Sequence, residues 1–187
     1  MTPEEYYQRY LEGDDEAIGG VIDGFYGGLM RFVEGITGDY HDAEDVVQEV
    51  FIRISLKKSI YRGKGRFKAW VYAIARNCAL SAAAGRRTML ERLEFDEEKL
   101  MMIAGPDTSD PGELLEADEE TERFIANLRA LKPKHRQILY LMYVKDFTPG
   151  EIARVMHMRP REVYRCLAAA RESYRRLIEG ETGNEQD

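Results

Sequence analysis

The 187-residue chain is 44% hydrophobic and 33% charged, with 34 acidic against 27 basic residues for a net charge of −7. That composition excludes a disordered chain, and the absence of any uninterrupted run of about 18 apolar residues excludes a membrane-spanning helix. Two cysteines and three histidines in no ligand-like spacing give no ground to expect a disulfide framework or a metal centre.

The hydrophobic period is helical almost throughout and nothing alternates as a strand would, so the expected class is all-α. The first fifty residues are acidic, with 13 Asp or Glu and 2 Arg. Their start, MTPEEYYQRYLEGDDEA, lacks an apolar stretch, so no secretory leader is expected. A short helix over 4–12 is followed by a longer one over 15–36, with Ile18, Ile22, Phe25, Leu29 and Phe32 on one face. Gly19, Gly20, Gly24, Gly27 and Gly28 weaken that helix by about 1 kcal/mol each against Ala, so packing must hold it. Gly38 is a stop signal, and Asp39 or Asp42 can cap the next helix. That helix, over 42–57, sets Ala43, Val47, Val50, Phe51 and Ile54 on one stripe and Asp45, Gln48, Glu49 and Ile52 on the neighbouring face.

Residues 51–90 contain ten Lys or Arg and no Asp or Glu. Gly63 and Gly65 mark a basic loop, after which Phe67, Trp70, Val71, Ile74 and Cys78 restore helical spacing up to about Gly85. Cys78 and Cys166 read as reduced, small apolar residues. Tyr61, Phe67, Trp70 and Tyr72 interleave with Arg62, Lys64, Arg66, Lys68 and Arg76. Cations that follow phosphates and aromatics that stack on bases are what single-stranded nucleic acid requires. Phe67, Trp70 and Ile74 share a stripe and are expected in the core, which leaves Tyr61 and Tyr72 as the stacking candidates.

Residues 91–120 carry 12 acidic and 2 basic residues together with Gly105-Pro106 and Asp110-Pro111-Gly112, the composition of a self-repelling linker. Residues 121–180 reverse the sign, with 13 basic against 6 acidic. Leu128, Leu131, Ile138, Leu141 and Met142 define two short helices separated at Pro133. In FTPGEIARVMHMRPREVYRCLAAARESYRRL (147–177), Thr148, Pro149 and Glu151 have the spacing of a capping box with proline at the first helical position. A turn at His157, Met158 and Arg159 leads to a helix opened by Pro160, with Val163, Leu167 and Ala170 inward and Arg161, Glu162, Tyr164 and Arg165 outward. This is helix-turn-helix spacing, and Arg161 and Arg165, one turn apart, can each grip a guanine edge or a phosphate. A helical hairpin with a basic surface is the plainer alternative.

HDAEDVVQEVFIRI (41–54) followed by RFKAWVYAIARNCAL (66–80) resembles region 2 of bacterial sigma factors. LRALKPKHRQILYLMYVKDFTPGEIARVM (128–156), with its following helix, resembles region 4. The acidic linker in place of a middle domain is similar to the extracytoplasmic-function group. The resemblance implies a region 2-like helical bundle over 1–88, a linker over 89–120, a region 4-like helix-turn-helix domain over 121–180 and a polar tail over 181–187. It implies that Asp45, Gln48, Glu49 and Ile52 dock on core RNA polymerase. It also implies that Lys57, Lys58, Tyr61, Arg62, Lys64, Arg66, Tyr72, Arg76 and Asn77 capture the unpaired minus-ten strand of promoter DNA. Arg159, Arg161, Glu162, Tyr164 and Arg165 would read the minus-thirty-five duplex. An anti-sigma factor is a further implied partner, and a cytoplasmic location follows from the role. The chain departs from the family where His157 replaces the usual turn glycine and where Arg159-Pro160-Arg161 opens the recognition helix.

No catalytic residue, cofactor, small-molecule substrate or membrane insertion is expected. The carboxylates around Asp42 to Glu49 have only His41 beside them, and Gly63 and Gly65 follow no strand that would form a phosphate cradle. Two other readings stay open: a decoy that binds an anti-sigma factor without touching promoters, and a plain helix-turn-helix regulator. Retention of both basic segments argues against the first, and a basic block ahead of an acidic linker argues against the second.

Overall fold

A computed structural model describes residues 1–56, 61, 67–85 and 119–184, the last four of these by backbone alone. The chain divides into two compact units, Met1–Leu114 and Leu115–Asp187. All regular structure among the described residues is helical, as the periodicity predicts. The acidic stretch 89–118 and most of the basic loop lie outside the described residues.

The first unit contains α1 (Pro3–Leu11), α2 (Ile18–Thr37), α3 (Tyr40–Leu56) and α4 (Phe67–Ala83), with a short 3-10 turn at Asp15–Ala17 ahead of α2. Thr2 caps α1 through a reciprocal box with Glu5: Glu5 N donates to Thr2 Oγ1 at 3.2 Å, and Thr2 N donates to Glu5 Oε2 at 2.7 Å. α4 is the centre of the bundle, with every residue from Ala69 to Ala75 buried, and it packs on both α2 and α3. The inward stripe of α2 is Val21, Phe25, Leu29, Phe32 and Val33, whereas Ile18 and Ile22 are half-buried. The stripe is displaced because α1 covers the glycine face: a Cβ on Gly24 would lie 2.5 Å from Pro3 Cγ. The glycines are therefore the price of a close helix–helix approach as well as a loss of propensity.

Gly38, at φ 81°, closes α2, and Asp39 opens α3 by accepting from His41 N at 2.8 Å and Asp42 N at 3.0 Å. Those two bonds favour the charged form and hold the Asp39 carboxyl below the usual range.

The second unit contains α5 (Glu119–Leu128), α6 (Pro133–Tyr143), α7 (Pro149–Val155) and α8 (Pro160–Asn184). Leu128, Leu131, Ile138, Leu139, Leu141, Phe147, Ile152, Val155, Val163, Leu167 and Ala170 form its core. The break before Pro133 is held by Arg136, which donates to the carbonyls of Leu128 (3.1 Å), Arg129 (2.8 Å) and Leu131 (3.1 Å). Carbonyls at a helix end have no intrahelical partner, and here one guanidinium bonds the last carbonyl of α5 and two more in the turn that follows it.

Candidate nucleic-acid and partner surfaces

The α7–turn–α8 segment follows its sequence closely. Glu151 N donates to Thr148 Oγ1 at 3.3 Å and Thr148 N donates to Glu151 Oε2 at 2.8 Å, so the predicted capping box is formed. α7 ends with His157 in the left-handed region at φ 51°. His157 N donates to Arg154 O at 3.2 Å and Met158 N to Ala153 O at 2.8 Å, the paired bonds of a Schellman ending. A histidine thus fills the position that glycine would fill without strain.

Val163, Leu167 and Ala170 bury one face of α8, and Arg159, Arg161, Tyr164 and Arg165 are exposed on the other. Tyr164 is 62% exposed, the most open large aromatic ring among the described residues. Glu162 is only half-buried, and its Oε2 accepts from Arg159 N at 2.9 Å. Its carboxylate therefore caps the start of α8, a role already written in the three-residue spacing from Arg159 and the same as that from Thr148 to Glu151. This leaves three exposed cations and one ring on the face that a major groove would meet, with one acceptor turned to the backbone.

In the first unit, Asp45, Gln48 and Ile52 fall on one exposed face of α3, and Ile52 is 45% exposed. Leu56, 67% exposed, continues that face past Ile52. Glu49 is turned away from it. It is 9% exposed and its Oε1 accepts from Arg53 Nη2 at 2.8 Å and Nε at 3.1 Å, with Arg53 2% exposed. The predicted docking set is thus divided between three surface residues and one member of a buried ion pair.

The expected stacking platforms are corrected by burial. Tyr72 is 1% exposed, with its ring set edge-on against Phe32 at 5.3 Å and Phe25 at 6.3 Å. No face is left for a base, because α4 is surrounded by helices where the sequence pattern suggested a free side. Tyr61 is 9% exposed and packs against Phe67 (5.1 Å), Trp70 (5.4 Å) and Tyr7 (5.8 Å). Phe67 and Trp70 are in the core as expected. Arg76 and Asn77 are half-buried on α4, and burial pulls the Arg76 guanidinium below its usual pKa. Lys57, Lys58, Arg62, Lys64 and Arg66 lie outside the described residues.

The second unit has two further features that the sequence motifs do not announce: the Arg136 staple and an apolar groove of about 490 Å³ between α5, α6 and the end of α8. Phe124, Leu139, Tyr143, Tyr174 and Ile178 line it, and Arg171 Nε donates to Tyr143 Oη at 2.6 Å across its rim. Among the described residues no group of His, Cys, Asp and Glu could hold a metal, and no helix is long and apolar enough to cross a membrane.

Residues 21–88 match the family profile of Sigma-70 region 2, and residues 121–173 match that of Sigma-70, region 4. The chain is 29% identical over 144 residues to the ECF RNA polymerase sigma factor SigG of Mycobacterium tuberculosis, covering 67% of this chain but only 39% of SigG. It is 22% identical over 182 residues to SigW of Bacillus subtilis, covering 95% of this chain and 97% of SigW. With the sigma-E factor of Escherichia coli the identity is 25% over 177 residues, with 92% of each covered. Among solved structures, CnrH in complex with the cytosolic domain of CnrY superposes with a TM-score of 0.66 at 18% identity, over 95% of this chain and 97% of that one. RpoE of Bartonella quintana, solved with the anti-sigma factor NepR, gives 0.58 at 19% identity, over 83% and 94%.

Proposed function

Since the chain belongs to the sigma-70 family, in its extracytoplasmic-function group, with region 2 and region 4 in that order, we propose that it directs core RNA polymerase to specific promoters. The α3 face of Asp45, Gln48 and Ile52 docks on the polymerase. Arg159, Arg161, Tyr164 and Arg165 on α8 read the upstream element as duplex. The basic segment between α3 and α4, with Arg76 and Asn77, holds the minus-ten strand once it is unpaired. The division into a region 2-like domain over 1–88, a linker over 89–120 and a region 4-like domain over 121–180 carries these roles in chain order.

The observation that carries the reading is the exposed cationic face of α8 on a fully formed helix-turn-helix. Its arginines suit guanine edges, and Tyr164 offers an apolar surface to a thymine methyl. Glu162, already accepting from Arg159 N, supports the geometry of the helix start in place of base readout. Melting needs no chemistry from this chain. A surface that binds the unpaired strand better than the duplex shifts the equilibrium toward the open state by that difference in affinity. The protein works in the cytoplasm, where promoters and polymerase are. The similar structure solved with the anti-sigma factor NepR supports an anti-sigma factor as a further partner.

Transcription from fragmented genomic DNA by purified core polymerase, with and without the chain, tests the proposal through the mapped 5′ ends. Discrete start sites sharing two upstream sequence blocks are expected only when the chain is present. Start sites identical to those of core polymerase alone would refute it. On such a promoter, Arg161→Ala and Arg165→Ala should each remove about 1–3 kcal/mol of discrimination at one base pair.

A further inference from the structure

We infer that the start of α6 is a phosphate-binding flank of the duplex-reading face, where Lys132 and Lys134, beside Arg165 of α8, hold the DNA backbone next to the base pairs that α8 reads. The inference rests on the proposed reading of the upstream element by α8.

Residues 123–145 contain six Lys or Arg and no Asp or Glu. Two of these cations have a visible task in the fold. Arg136 is committed to the carbonyls that follow α5, and Lys145 is buried with its ammonium over the Tyr140 ring. Lys132 and Lys134 differ from them. Both are exposed, one on each side of Pro133, and among the described residues neither ammonium makes a hydrogen bond or an ion pair. Lys132 is the N-cap of α6 and gives that helix no side-chain bond. A helix start favours an acceptor or an acid, because its first N–H groups point outward and carry partial positive charge. Two lysines at that end are therefore unfavourable for the fold alone, and an anion set against them offsets the ammonium groups and the helix end together.

The same turn lies against the recognition helix. α6 packs on α8, and His135 Nδ1 is 3.1 Å from Ser173 Oγ. Burial raises the pKa of the Cys166 thiol on α8 and the charges of Lys134 and Arg165 oppose it, so both cations act on one stretch of α8. Burial, then the charges of Lys132 and Lys134, lower the His135 pKa, so at neutral pH the imidazole holds this junction as an uncharged group. The acids of α8 on either side of Cys166 are engaged elsewhere. Glu162 accepts from Arg159 N, and Glu172 is paired with Arg175 and Arg176. The flank thus keeps its positive charge. A lysine ammonium is a point charge on a flexible stem, suited to phosphate oxygens, and phosphate contacts set register without carrying sequence information.

The test uses the intact chain assembled on core RNA polymerase. Its probes are a fluorescein-labelled duplex carrying the upstream block from the mapped start sites and duplexes with single base pairs of that block exchanged. Affinity is measured across about 50–200 mM salt. Lys132→Ala with Lys134→Ala should reduce the slope of log affinity against log salt by about 1 for each lysine and weaken every duplex by the same factor. The thermal midpoint of the free chain should not fall. Lys132→Arg with Lys134→Arg should restore the slope. Arg175→Ala with Arg176→Ala removes the same charge about 15 Å further along α8 and should leave the slope unchanged. An unchanged slope in the lysine variant, an equal change in the Arg175 and Arg176 variant, a lowered midpoint, or a loss confined to particular base pairs would each overturn the inference while leaving duplex reading by α8 intact. If the unaltered holoenzyme did not prefer the upstream block to its exchanged versions, duplex reading itself would fail, and the inference with it.

Discussion

A methyl group on Gly24 would meet the rigid ring of Pro3, and one on Gly20 would sit 2.4 Å from Tyr6 Cγ, while Gly27 has nothing within 4 Å. The same substitution therefore has opposite signs along one helix. Gly27→Ala should raise stability by up to about 1 kcal/mol through propensity. Gly24→Ala should lower it by about 1–3 kcal/mol through overpacking, and urea midpoints of the two variants check both. Asp39 gives a pH signature. Its pKa is lower in the folded chain than in the unfolded one, so its contribution is complete above the ordinary carboxylate range and is lost as the pH falls through the folded value. Replacing Asp39 with Ala should lower the thermal midpoint at neutral pH and shrink the difference from the unaltered chain under acid conditions. Local features of this kind were legible in the sequence. The Thr148–Glu151 box, the Gly38 stop and the left-handed His157 depend on residues within one or two turns. The sequence pattern places Tyr72 and Glu49 at the surface and the fold buries both, because burial depends on packing that local spacing does not encode.

At the scale of elements, α3 carries an exposed face and a buried ion pair side by side. Asp45 is exposed, and Glu49, one turn on, is paired with buried Arg53. Glu49→Lys would leave like charges buried together and should cost about 3–5 kcal/mol of stability, visible as a fall in thermal midpoint before any binding assay. Asp45→Lys should leave the midpoint unchanged and lower affinity for core polymerase, so only the second variant reports on docking. Co-purification of the Asp45→Lys chain with polymerase at the level of the unaltered chain would remove this face from the interface. In the second unit the strained ending of α7 makes a further prediction. His157→Gly should raise stability by about 1 kcal/mol, the order of the left-handed penalty, and chemical denaturation measures it. The helices themselves could be read from apolar spacing. The Arg136 staple could not, because its three acceptors are backbone carbonyls that carry no sequence signal.

For the whole molecule, an acidic chain of net charge −7 keeps most of its cations in two segments. A net negative charge opposes non-specific attraction to a polyanion, so the proposed DNA contacts depend on where the cations are concentrated. The sign reversals along the chain make this organisation legible in the sequence, since charge blocks need no folding to be counted. They could not say which aromatic rings remain open, and there the bundle around α4 overrides the pattern. On the proposed function, the two cationic segments serve two forms of the same promoter. This is tested most directly by measuring, on one holoenzyme, affinity for an upstream duplex and for a minus-ten single strand in two variants. The chain with Arg161→Ala and Arg165→Ala should lose duplex affinity alone, and the chain with Lys57→Ala, Lys58→Ala and Arg62→Ala should lose single-strand affinity alone. Variants that weaken both probes equally would contradict it.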